Sequence, residues 1–243
     1  MSLKSRLYDF VFPKRGDLRW VRWPKLMKRF ATILGPLYFS FGEGHFRSAL
    51  LLRAVDPAGN PIPWYTYPAV DFFSRLEMTG RSVAEIGGGH SSLWWMKRAD
   101  RLLVLEQDEH WCQWLRERTA SAGNVEVQHA PTPDQADEFI TPDTFDLIVV
   151  DGIDRAANAA IAFSRVKRGG LVVLDNSGVN YGPPGEWPII DRASAEGWLR
   201  VDFVGHTAGA MRRSVTSMFF RPEVEMLRDL RMPSFTPVRH ASD

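Results

Sequence analysis

The sequence holds a single cysteine, Cys112, in 243 residues. One thiol cannot bridge within the chain, so a disulfide framework is excluded and a reducing, cytoplasmic setting is expected. Cys112 falls in a helical pattern beside Trp111 and Trp114, where it reads as a buried packing thiol. No run of 18 apolar residues occurs, so no spanning helix is expected. The apolar stretch 30–41 is short, is broken by Gly35 and Pro36, and lies too far from the start for a signal peptide. Internal repeats and low-complexity segments are missing too. So is any large excess of charge: the net is +1 with 24% charged residues, which in bulk points to no nucleic-acid or membrane partner.

What is present is unevenly spread. Residues 1–30 carry nine basic residues against Asp9 and Asp17, a net of +7, which leaves −6 on the remainder. Residues 1–60 also hold Trp20, Trp23, Phe30, Tyr38, Phe39, Phe41 and Phe46, without strand alternation. Basic residues among aromatics could make a peripheral surface for an acidic partner or membrane headgroups. The plainer reading is an N-terminal helical cap whose aromatics pack and whose charges face water. The turn-rich stretch 56–63, with Pro57, Gly59, Pro61 and Pro63, then acts as a linker. The expected division is a cap over 1–62, a main domain over 63–221 and a tail over 222–243.

The main domain alternates as a parallel α/β sheet does. Helices are predicted over 67–78, 91–98, 110–120, 156–166 and 189–196. Strands are predicted over 82–86, 101–105, 125–129, 145–150, 171–174, 199–204 and 215–220. The unbroken run Leu147-Ile148-Val149-Val150 suits a strand buried on both faces. The fold class is therefore α/β, with a Rossmann-like seven-stranded, mostly parallel sheet whose last strand is antiparallel.

Gly87, Gly88 and Gly89 follow the first strand and precede a helix. Such a turn lets backbone approach a polar ligand at the carboxyl end of a parallel strand. A dinucleotide fingerprint would place a third glycine where this chain has Ser92. Glu85, just before the turn, would repel a pyrophosphate and suits a ligand carrying an ammonium group. Glu106 ends the second strand and can accept hydrogen bonds from a ribose diol. Glu85, Gly87, Gly89 and Glu106 together resemble the first motif and the ribose acid of the class I S-adenosylmethionine-dependent methyltransferases, over about residues 63–221. That resemblance implies an S-adenosylmethionine cofactor and methyl transfer. Between His129 and Asp134, where the family carries an adenine contact, no residue matches clearly. The segment 63–68 is similar to a stretch before the first strand in bacterial methyltransferases, which implies that Thr66 and Tyr67 contact the methionine end of the cofactor. A rigid aromatic turn is the alternative.

Asp151 follows the fourth strand, and Asp175 with Asn176 follows the fifth. Adjacent parallel strands bring these three oxygen donors together, a set that suits Mg²⁺. The pattern resembles the catechol O-methyltransferase branch, which implies a metal-held substrate hydroxyl. That branch carries a lysine base three residues after its strand-four Asp; here Asp154 stands there and Arg155 follows. His206, in a glycine-flanked loop, is the candidate base in its place. Without metal, Asp151 could itself bind substrate or the cofactor's ammonium, and Asp175 with Asn176 could form an Asx turn. The loop 180–187, with Tyr181 and Trp187, and Arg212 with Arg213 are candidates for substrate contact. The acceptor expected is a hydroxyl on a small molecule or sugar. An NAD-dependent oxidoreductase and a non-catalytic binding protein of the same fold are the alternatives.

Overall fold

A computed structural model describes residues 34–178, 187–228, 230 and 231. The basic segment 1–33 and the loop 179–186 lie outside the described residues, as does the side chain of Trp187. The chain forms two compact units that divide between Glu43 and Gly44, ahead of the boundary expected at 62. The described part of the first unit holds one helix, α1 (Gly35–Gly42).

The second unit opens with α2 (His45–Leu51). The Ser48 hydroxyl donates to Val55 O and accepts from Val55 N, both at 3.0 Å, and Val55 bridges to Pro61. The stretch expected to be a linker is thus tied back onto α2. Then come α3 (Tyr67–Ser74), β1 (Ser82–Ile86), α4 (His90–Trp95), β2 (Arg101–Glu106), α5 (Glu109–Thr119) and β3 (Val125–His129). They are followed by α6 (Pro133–Phe139), β4 (Leu147–Val150), α7 (Arg155–Arg165), β5 (Leu171–Leu174), α8 (Trp187–Ala195), β6 (Leu199–His206) and β7 (Arg213–Phe220). The strands form one seven-stranded sheet in the order β3-β2-β1-β4-β5-β7-β6. β1 to β5 are parallel, and β7 runs antiparallel to both β5 and β6. The order reverses between β1 and β4, the place where open α/β sheets leave a crevice at their carboxyl ends.

Side chains alternate across the sheet, so the core has two halves. Ala84, Ile86, Ile148, Val150, Val172 and Phe219 pack on one face with α6, α7 and α8. Val83, Val104, Val149, Val173 and Met218 pack on the other with α3, Trp95 and Leu115. Both faces of β4 and β5 are buried, as an unbroken apolar run requires. Cys112 is fully buried. Val224 and Met226 join the second half, so the residues just after 221 are part of the core. Among the described residues no helix is long and apolar enough to cross a membrane.

Several elements differ from expectation. α6 carries start signals, a Thr132 cap whose hydroxyl accepts from Gln135 N and a proline at its first turn, but buries only Ala136. So little apolar surface leaves no helical period to read. α3 stops at Ser74, and α4 begins at His90. β6 runs on to His206, which pairs with Arg213, so His206 ends a strand and does not sit in a loop.

Candidate functional site

A cavity of about 820 Å³ opens at the carboxyl ends of β1, β2 and β4. Its wall holds the turn Gly87–Gly89, Glu106, Trp111, Pro131, Asp151 and Trp64, with Arg155 at one side. Its volume falls within the usual range for a small-molecule or cofactor site, about 300–1,000 Å³.

The three glycines do three different things. Gly87 has φ +93°, and a Cβ there would stand 2.2 Å from Gly152 N, so it lets the turn press against the loop after β4. A Cβ on Gly88 would meet Leu115 and Val104 at 2.5 Å, so Gly88 serves packing of the turn onto the core. Only Gly89 turns bare backbone to open space, with Trp111 Nε1 at 3.8 Å and Ser91 Oγ at 3.9 Å as nearest neighbours of an added Cβ.

Glu106 is nearly buried and lies in the wall. Its Oε2 accepts from Gly88 N at 2.7 Å, and its Oε1 accepts from Gln107 N at 2.9 Å and Asp108 N at 2.8 Å. A carboxylate offers about four lone-pair sites, so one remains for a ligand hydroxyl. The cap of α5 is Asp108, which accepts from Trp111 N at 2.7 Å, so capping is not what Glu106 is for. Trp111 Nε1 donates to Gly88 O at 2.7 Å, and its ring stacks on Trp114 at 4.5 Å and 2°. The bare Gly89 backbone, the Glu106 carboxylate and the aromatic wall fit an adenosyl cofactor.

Glu85 lies behind the turn and does not line the cavity. It is fully buried, and its Oε2 accepts from Ser92 Oγ at 2.5 Å. Ser92 Oγ in turn accepts from Gly89 N at 2.9 Å. Burial pushes the Glu85 carboxyl up to about 7, with the Ser91 and Ser92 hydroxyls opposing and Glu106 adding to the rise. The expected direct repulsion of a pyrophosphate therefore weakens, because the carboxyl sits inside the protein. Ser92 is the residue that sequence reasoning undervalued: it occupies the third-glycine position and ties the turn to β1.

Thr66 and Tyr67 do not line the cavity either. Thr66 is buried, donates its hydroxyl to Phe203 O at 2.9 Å, and gives its N–H to Thr216 Oγ1 at 3.0 Å. Tyr67 begins α3 with its ring 6.1 Å from His45. Trp64, from the same aromatic stretch, is the residue that reaches the wall. His206 is exposed and meets His45 edge-on at 6.3 Å, outside the cavity wall.

Asp151 and Asp175 do lie together, at the ends of adjacent strands. Asp175 Oδ1 accepts from Thr216 Oγ1 at 2.6 Å and its Oδ2 from Asn176 Nδ2 at 2.7 Å. Asn176 Oδ1 accepts from Ser214 Oγ at 3.0 Å. Burial pushes the Asp175 carboxyl up to about 6. Burial also raises Asp151 well above the carboxylate range, with the neighbouring Asp175 and Glu85 adding to it and Arg155 opposing. The Arg155 guanidinium lies across both strand ends. It donates to Asp151 Oδ1 at 3.1 Å, Asp151 O at 3.2 Å, Gly152 O at 3.0 Å and Asp175 O. The expected Mg²⁺ set of Asp151, Asp175 and Asn176 therefore does not fit a metal: Asp151 is paired with a permanently charged guanidinium, Asp175 accepts from Thr216 and Asn176, and Asn176 accepts from Ser214. Among the described residues no group of three or more His, Cys, Asp or Glu could hold a metal ion.

No protein-family profile and no curated protein matches the chain. Solved structures do resemble it. An O-methyltransferase from Bacillus cereus, solved in complex with SAH, superposes with a TM-score of 0.54 at 20% identity, covering 76% of this chain and 96% of that one. A protein from Klebsiella pneumoniae with a provisional O-methyltransferase assignment gives 0.53 at 20% identity, covering 81% and 99%. A spermidine synthase from Thermotoga maritima aligns at 0.47 and 14% identity, and the chain spans only 56% of its length. The sheet order, the crevice beside β1 and the two O-methyltransferase superpositions agree: the chain has a Rossmann-like methyltransferase fold.

Proposed function

We propose that this chain is an S-adenosylmethionine-dependent methyltransferase acting on a hydroxyl of a small molecule or sugar. The observation that carries the reading is the Glu106 carboxylate, fixed by three backbone N–H groups and facing the cavity beside the bare Gly89 backbone. The cofactor, when bound, supplies a methyl group already activated on a sulfonium. The chain's own task is then to bind and align. Glu106 would receive a ribose hydroxyl, the turn backbone would help hold the cofactor, and Trp111 and Trp64 would line its wall. Alignment of two reactants can account for several kcal/mol of a barrier (about 7–11 at best). Asp151, in the wall and tethered by Arg155, is the group set to take the hydroxyl proton. A cytoplasmic location, suggested by the single buried thiol, accompanies this reading.

Calorimetric titration with S-adenosylhomocysteine tests it. The wild type is expected to bind at about micromolar Kd. Glu106→Ala should weaken binding at least about tenfold, through the lost ribose bond and the turn N–H groups left without their acceptor. Gly89→Leu, which projects a side chain into open cavity without backbone strain, should abolish it. A wild type that releases no heat and protects no ligand would remove the proposal.

A further inference from the structure

We infer that Arg155 is a built-in cation standing in the place of a divalent metal, so that the acceptor end of this site works without one. The inference deepens the methyl-transfer reading of the same site. Three observations carry it. First, Arg155 is the opening residue of α7, directly beyond the β4 end, and its side chain is 16% exposed and folds back across that end. Second, its guanidinium donates to oxygens from both strand ends: the carboxylate and carbonyl of Asp151, the carbonyl of Gly152 and the carbonyl of Asp175. It thus joins the two loops that a metal ion would join. Third, the other oxygen ligands a metal would need already accept hydrogen bonds from neighbouring side chains. Thr216 and Asn176 satisfy Asp175, and Ser214 satisfies Asn176. A divalent ion brought to Asp151 would have to enter beside a fixed positive charge and displace these bonds.

Arg155 is accordingly a positioning residue. Its charge offsets the buried Asp175 carboxyl and the partly buried Asp151 carboxyl beside it, and its planar fork holds Asp151 in the cavity wall. A substrate hydroxyl would then meet an Asp151 oriented by protein alone.

The test uses the whole chain and reads cation binding directly. Mn²⁺ is titrated and followed by electron paramagnetic resonance, with thermal unfolding recorded in Mn²⁺, in Mg²⁺ and in chelator. The wild type is expected to show no saturable Mn²⁺ site and the same melting temperature in all three. Arg155→Ala removes the cation and exposes the carboxylates. It should melt lower in chelator, recover part of the loss in Mn²⁺, and bind Mn²⁺ at least about tenfold more tightly than wild type. Adding Asp151→Asn should erase that gain. Should Arg155→Ala not fold, Arg155→Gln is read in the same way. A saturable Mn²⁺ site in the wild type that disappears with Asp151→Asn would overturn the inference, as would an arginine variant with no gain in Mn²⁺ binding. These measurements involve no cofactor, so their failure is distinct from failure of the methyltransferase reading.

Discussion

A carboxyl group sealed under a glycine turn makes folding sensitive to pH. Glu85 is fully buried, and its proton is held up to about 7 against a usual 4.5. The folded state therefore binds this proton more tightly than the unfolded chain. Its contribution is complete below the unfolded value and is lost as pH rises through about 7. The gap between 4.5 and about 7 corresponds to about 3 kcal/mol at most. Glu85→Gln still accepts from Ser92 but carries no charge. Urea unfolding at pH 5 and pH 8 should show the wild type losing more stability between the two than the variant, by up to that amount. Equal losses would mean that the folded protein holds the Glu85 proton no more tightly than the unfolded chain does. The same residue shows where sequence reading stops. Its position before the turn was legible; whether it faced the ligand or the interior depended on Ser92, seven residues on, reaching back to it.

At the scale of the element, the turn between β1 and α4 divides its work among three identical residues. Nothing in Gly87-Gly88-Gly89 as a string separates one from the next; the contacts do. Gly87→Ala puts a methyl group into the backbone of Gly152 at a positive φ, and should cost about 2–4 kcal/mol. Gly89→Ala, at an extended φ and facing space, should stay within about 1 kcal/mol of wild type. Chemical denaturation of the pair checks this, and similar losses for both would contradict the assignment of roles. Strands β1 to β5 were readable because burial on one or both faces imposes apolar runs or alternation. α6 was not, because a helix that buries one alanine leaves no period. The partnership of Asp151 and Asp175 was also readable from the parallel strand order. The arginine that fills the space between them was visible only as a departure from a lysine three residues after the aspartate, since a side chain's path is not written in spacing.

For the molecule as a whole, the cavity belongs to one compact unit, and its wall is drawn from three successive strand ends of a single sheet. A ligand there braces the turn after β1, the end of β2 and the end of β4 together. Both halves of the core share that sheet, so bracing it should stabilise the unit cooperatively. S-adenosylhomocysteine at a hundredfold excess over its Kd adds about 2.7 kcal/mol. For a unit of this size that is a rise of about 5–10 °C in melting temperature, read by calorimetry. No shift under saturating ligand would mean that binding does not involve the native cavity. The stacked indoles of Trp111 and Trp114 give this event an optical signature. One ring forms part of the cavity wall and is fastened to the Gly88 carbonyl, and the other lies flat against it. Anything that settles on the glycine turn changes the surroundings of a chromophore the protein already carries, so the quenching or shift of its own emission can count occupied molecules without a label.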